Sequence, residues 1–190
     1  GTVLEAKHDS VSKFGPDGDA KSTDETGFTE GNIFWPQGTV SDRNGNIWIA
    51  NCGNDTVTLY PRGRHKGARN FDLAPLGMIR PFDIAIDHRD RVWVTGNGSK
   101  QVFVLDQHGN PILGSPLAPE GLARPMGVAT DSRGNMWVAN SSFVQVPCAN
   151  DANKLPLKED GGTVTLFEAN GDAVWTRTFG GGGMAIPWGI

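Results

Sequence analysis

Short apolar runs and polar, glycine-containing turns alternate along this chain at a near-constant spacing. The clearest instance is Arg124-Pro-Met-Gly-Val-Ala-Thr-Asp-Ser-Arg-Gly-Asn-Met-Trp-Val-Ala-Asn140, an apolar run, a tight turn and a second apolar run. The same pattern stands at 35–51 and at 80–96, and it begins again at Ile186-Pro-Trp-Gly-Ile190. Its prolines, Pro36, Pro81, Pro125 and Pro187, are 45, 44 and 62 residues apart. The second runs, such as Ile47-Trp-Ile-Ala50 and Met136-Trp-Val-Ala139, are apolar throughout, which marks strands buried on both faces. The turns carry Asp, Asn and Gly, the residues suited to tight-turn dihedrals.

A period near 45 residues in strand-rich sequence predicts an all-β propeller of four-stranded antiparallel blades. About four blades' worth is expected within one segment, 1–190. Residues 1–34 read as a partial blade, followed by blades at 35–79, 80–123 and 124–185. The start of a further blade follows at 186–190. In the first full blade the expected strands are Gly38–Ser41, Ile47–Asn51, Thr56–Tyr60 and an outer strand within Ala68–Leu73. In the second they are Ile84–Ile86, Val92–Thr95, Val102–Leu105 and Pro111–Leu117, proline being tolerated at an edge. In the third, Gly162–Phe167 and Val174–Phe179 are the outer pair. Trp137 and Val164 are 27 residues apart, against 9 for Trp93 and Val102. The excess is an insertion at 141–161, and a long loop inside a compact repeat is usually functional or mobile. Gly1–Leu4 reads as a second strand and Ile186–Ile190 as a first strand. The expectation is a fragment of a larger propeller whose open blade edges would promote self-association. Trp48, Trp93 and Trp137 recur as inter-blade core residues, and Asp42, Asp87 and Asp131 recur as acceptors for backbone N–H groups of the turns.

The repeat Pro-x-Gly-Val-Ala-Thr-Asp-Ser-Arg-Gly-Asn-Met-Trp-Val-Ala-Asn140 resembles the NHL-repeat superfamily of β-propellers, in particular its bacterial streptogramin-lyase-like branch. The resemblance covers nearly the whole chain and implies four strands per blade around a central channel. It implies function only weakly, because one fold hosts enzymes, binding modules and scaffolds. Streptogramin lyases would need His and Glu grouped around a divalent metal. His8, His65, His88 and His108 do not supply such a group, since His88 and His108 fall in turns on the face opposite the usual site loops. Gluconolactonase-like propellers would place one divalent cation at the channel mouth through Glu, Asn and Asp. Glu30, Glu120, Asn51 and Asn140 are the residues of suitable type, although the two glutamates do not fit the family position.

The reading preferred from the residues is a non-catalytic binding or scaffold module without a cofactor. The alternative is a metal-dependent lyase or lactonase whose site is completed by other blades. The loops joining second to third strands, and each blade to the next, share one face with the insertion. Its channel end is expected to carry Gln37, Asn51, Phe82, Asn97, Met126, Asn140 and Trp188, a set suited to a small molecule or to a protein or peptide. The net charge of −4 offers no basic surface for nucleic acid. No apolar run is long enough to span a membrane.

Composition adds one further candidate: only Cys52 and Cys148 are present. They are either two separate thiols or one disulfide. Both lie in loops of the same face, and the eight residues from Asn140 to Cys148 reach roughly 25 Å when extended. That is enough to cross the channel mouth over the second blade. A bond would make the insertion a lid and would place the protein in an extracytoplasmic compartment.

Overall fold

The computed structural model describes residues 9–22, 27–141, 148, 162–170 and 173–190. Three antiparallel sheets form the blades. The first is β1 (Pro36–Ser41), β2 (Ile47–Asn51), β3 (Thr56–Tyr60) and β4 (Arg69–Asp72), in that spatial order. The second is β5 (Pro81–Ile86), β6 (Val92–Gly96) and β7 (Gln101–Leu105). The third is β8 (Pro125–Thr130), β9 (Met136–Asn140), β10 (Thr163–Asn170) and β11 (Ala173–Gly180). Two short 3-10 turns, Pro61–Gly63 and Ala74–Leu76, are the helical elements among the described residues. Before β1, the bridges Val11–Phe28 and Phe14–Ala20 mark the partial blade. The strand expected at residues 1–4 lies outside the described residues, as do His8 and all of the insertion except Ser141 and Cys148.

Two expectations need correction. The inner strands start at their prolines, not at Gly38 or Ile84, because Pro36, Pro81 and Pro125 pair with Asn51, Gly96 and Asn140 before a bulge interrupts each register. The outer strand expected at Pro111–Leu117 is reduced to isolated bridges, Leu105–Pro111 and Val102–Leu117. Pro111 and Pro116 have no N–H for a ladder, and the chain between the bridges turns back on itself, with the Ser115 N–H bonded to the Ile112 carbonyl at 3.0 Å.

The core lies between blades. Trp48, Val57 and Leu59 of the first meet Ile84, Val92 and Phe103 of the second. On the second blade's other face, Trp93, Val102 and Val104 meet Val128, Met136 and Phe167 of the third. Trp48 and Trp93 are fully buried there. Trp137 occupies the same repeat position on the third blade's far face, is half-buried, and stacks on Phe179 at 6.0 Å.

Each of these tryptophans is tied to the repeated aspartate six residues earlier. Asp87 Oδ1 accepts the N–H groups of Arg89 and Arg91, while Oδ2 accepts Arg91 Nε at 2.6 Å and the Trp93 indole at 2.9 Å. Asp42 and Asp131 hold their turns and Trp48 and Trp137 in the same way, with Asn46 and Asn135 replacing the arginine. A turn residue therefore fixes the rotamer of a core residue in the next strand.

These bonds set an acid limit on stability. The Trp137 indole, and then the Asn135 amide and turn N–H groups, hold Asp131 well below the usual carboxylate range against the opposing effect of burial. At Asp87, burial favours the neutral acid, but the Trp93 and Arg91 bonds outweigh it and the pKa is lowered. A carboxylate with a depressed folded-state pKa contributes stability above its unfolded pKa, about 4, and that contribution is lost as pH falls through the folded value. The melting temperature is expected to change little between pH 7 and pH 5 on account of these groups and to fall below pH 4. Asp131→Asn should flatten that acid limb, and an unchanged limb in circular-dichroism melts would refute the assignment.

Candidate functional site

A repeated backbone device sets the geometry of the insertion face. The residue before each blade-entry proline is left-handed: Trp35, Arg80, Arg124 and Ile186 have φ of 48°, 55°, 47° and 49°. Such values are uncommon for non-glycine residues and persist where surrounding bonds hold them. The carbonyls of Trp35, Arg80 and Arg124 accept the N–H groups of Cys52, Asn97 and Ser141 at 3.0, 3.0 and 3.2 Å. The N–H groups of Trp35 and Arg80 bond the carboxylates of Asp9 and Asp55 in the preceding blade at 3.0 and 2.7 Å. Cys52, Asn97 and Ser141 are thus equivalent positions around the channel end.

Cys52 and Cys148 form a disulfide, with Cα atoms 5.5 Å apart and a sequence separation of 96. Both are buried, and they pack with Met126 and Phe82 in one cluster. Since Cys52 belongs to the first blade, Phe82 to the second and Met126 to the third, this cluster joins all three blades. Asn97 Nδ2 lies 3.1 Å from Met126 Sδ. The Thr95 hydroxyl donates to the Met126 carbonyl at 2.7 Å. The Trp188 ring meets Phe82 edge-on at 6.2 Å, and its carbonyl accepts the Gly127 N–H at 2.8 Å.

The structure therefore brings together Phe82, Asn97, Met126 and Trp188 around the disulfide, while Gln37 is exposed at its own blade entry. It does not bring Asn51 and Asn140 into the channel. The Asn51 amide donates to the hydroxyls of Thr56 and Thr58 at 3.1 and 2.9 Å, and its oxygen receives the Phe34 N–H at 3.4 Å. Asn140 donates to Thr163 and Thr165 at 3.1 and 2.8 Å. Both side chains brace the hairpin between second and third strands. Glu30 faces outward, its Oε1 2.7 Å from His65 Nδ1. Hydrogen bonds from its own backbone amide and from His65 lower its pKa. Among the described residues, no three His, Cys, Asp or Glu side chains are grouped as a metal would require.

Asn51→Ala tests the structural role. It removes three hydrogen bonds at a fully buried position, and its expected cost is about 2 kcal/mol in denaturant unfolding. A loss within error of zero would return Asn51 to the pool of ligand-binding candidates.

Sequence reasoning named Trp188 but missed the rest of the apolar rim of this face, Phe34, Trp35 and Ile79. Phe34 and Trp35 are each 38% exposed, Ile79 is 49% exposed and Trp188 52%. Phe34 and Ile79 are equivalent, their carbonyls receiving the N–H groups of Gly53 and Gly98 in the adjacent strand-connecting loops. The signal was available: large apolar residues stand just before the left-handed residue and proline of a blade entry, where neither blade core needs them.

The fold is that of a β-propeller, and the chain spans less than half the length of the first similar solved structures. No family model matches the chain, and no curated protein matches it. Among solved structures, a catalytically inactive virginiamycin B lyase from Staphylococcus aureus, in complex with quinupristin, is similar with a TM-score of 0.61 at 15% identity. The similarity covers 82% of this chain and 44% of that one. A nidogen/laminin complex gives a TM-score of 0.57 at 16% identity over 82% of this chain and 52% of that one. The extracellular domain of a putative hybrid two-component system from B. thetaiotaomicron gives 0.57 at 15% identity, over 89% and 20%. The streptogramin-lyase-like resemblance read from the repeats therefore holds at the level of fold. No described helix is long and apolar enough to cross a membrane.

Proposed function

We propose that this chain is a binding module that docks a protein or peptide on the face that carries the Cys52–Cys148 disulfide, in an extracytoplasmic, oxidising setting, and has no reaction of its own. The observation that carries this reading is the exposed rim of Phe34, Trp35, Ile79 and Trp188 on the face that holds the cluster of Cys52, Cys148, Met126 and Phe82. Aromatic and aliphatic side chains exposed together on one face mark interaction surfaces, and aromatic anchors dominate binding energy at such surfaces. The disulfide supports the compartment, because such bonds persist where conditions are oxidising. It also supports the binding role, because a covalently fixed loop loses less entropy on docking. The similar propeller in a nidogen/laminin complex shows that the fold serves protein assembly elsewhere.

The alternative, a metal-dependent lyase or lactonase, is favoured by the likeness to virginiamycin B lyase. Two measurements separate the readings. In affinity capture from the secreted fraction of the source organism, a specific partner should be retained by the wild type and by His108→Glu on the opposite face. Ile79→Asp should reduce it at least tenfold. Elemental analysis with a lactone-hydrolysis assay provides the other arm. A stoichiometric divalent metal with turnover, or capture indifferent to Ile79→Asp, would overturn the proposal.

A further inference from the structure

The seam between the partial blade and the first blade departs from the two seams that follow it. The bridge between Val11 and Phe28 is the counterpart of the Val57–Phe71 pair in the first blade and of the Val102–Leu117 bridge in the second. Counted from these valines, Lys13 stands where Leu59 and Val104 stand. Leu59 and Val104 are buried against the next blade, whereas Lys13 is exposed. On the facing inner strand, Thr39 follows its blade-entry proline by the same interval as Ile84 and Val128. Ile84 and Val128 are buried, and Thr39 is exposed. Positions that seal the other seams with apolar side chains are therefore polar here.

A cavity of about 390 Å³ opens at this place, within the usual range for small-molecule sites. It reaches the turns at Gly45 and at Arg62–Gly63, at the end of the blades away from the disulfide. Val11, Phe14, Phe28 and Ile47 give it an apolar lining, and Phe14 is 64% exposed. Lys13 and Arg62 are its charged residues, and no carboxylate lines it among the described residues. Lys13 Nζ donates to the Gly63 carbonyl at 3.4 Å and keeps two further N–H donors. The exposed Arg62 guanidinium has no partner among the described residues. Nearby carboxylates are turned to other groups: Asp17 accepts the Asp19 N–H, Asp19 lies 3.7 Å from Lys21 Nζ, and Glu30 meets His65. The Ser12 and Thr39 hydroxyls can donate or accept, so the two cations alone set the sign of the charge that fits. A carboxylate head on an apolar body complements such a lining.

We propose that this seam binds a small carboxylate with an apolar hydrocarbon body, its head held by Lys13 and Arg62 and its body against Phe14, Phe28 and Ile47. The site is separate from the protein-docking face and does not depend on it.

Tyr60 is the single tyrosine of the chain, is buried and lines the cavity. Its ring in tyrosine-labelled protein is therefore an NMR reporter confined to this seam. Sodium 4-phenylbutyrate is the probe. The alcohol 4-phenylbutan-1-ol has the same body without the charge, and sodium acetate has the charge without the body. Phenylbutyrate is expected to shift the Tyr60 signal saturably, and the alcohol and acetate to bind at least tenfold more weakly. Lys13→Gln combined with Arg62→Gln, both at exposed positions, should weaken phenylbutyrate to the level of the alcohol. No saturable shift of Tyr60, equal affinities for acid and alcohol, or a preference for the acid that survives the double variant would overturn the proposal. So would a shift reproduced by acetate or by sodium chloride at matched ionic strength.

Discussion

Replacing Cys52 and Cys148 together by serine is expected to lower the unfolding free energy by about 4 kcal/mol in non-reducing denaturant titration. The bond joins residues 96 apart, and in the chain-entropy model a closed loop of that size restricts the unfolded chain by this amount. The two sulfurs also pack against Met126 and Phe82, so the loss extends to apolar contacts at the channel end. A variant within 1 kcal/mol of the parent would mean that the bond does not restrict the unfolded chain in this way.

The second large effect is expected at Asp87. Asp87→Ala leaves the buried Arg91 and the buried Trp93 indole without the acceptor they share, and loss of one member of a buried ion pair costs about 3–5 kcal/mol. Asp106 supplies the control. It receives the N–H groups of His108 and Asn110 and the Asn110 amide in a similar turn, but it holds no tryptophan and no arginine. Asp106→Ala should cost about 1 kcal/mol. Equal losses in thermal or chemical unfolding would show that the aspartate–tryptophan link contributes nothing beyond its turn.

The contrast between these aspartates also explains how far the sequence could be read. The repeat declared itself because every blade solves one packing problem with the same residues. An aspartate shapes the turn, a tryptophan follows six positions later, and an apolar strand is buried on both faces. Strands β2 and β3 fall where the pattern put them for that reason. The outer strand at Pro111–Leu117 did not, because alternation alone cannot show that two missing N–H groups leave only isolated bridges.

The candidate site was legible in part. Phe82, Met126 and Trp188 lie together because each directly follows its blade-entry proline, and the repeat supplies that equivalence; Cys148 lies in the insertion, outside the repeat. Asn51 and Asn140 were misplaced because the end of a second strand can aim its side chain at the channel or across its own hairpin. The deciding feature is the Thr-x-Thr pair at 56 and 58, and again at 163 and 165, which offers two hydroxyls to the amide. The second blade has Gly96 at that position and Gln101 and Phe103 opposite, so it has no such network. The contacts of Arg43 with His88, and of His88 with Gly134, were not legible, because they depend on how far a side chain reaches into the next blade's turn.

One covalent link, Cys52–Cys148, meets Phe82 and Met126 where the three blades join, and the proposed oxidising compartment rests on it. Thiol titration of the unreduced protein, unfolded in guanidinium, tests it directly. The structure predicts no free thiol before reduction and two after it. Two free thiols before reduction would contradict the disulfide, the docking face proposed around it and the proposed oxidising compartment.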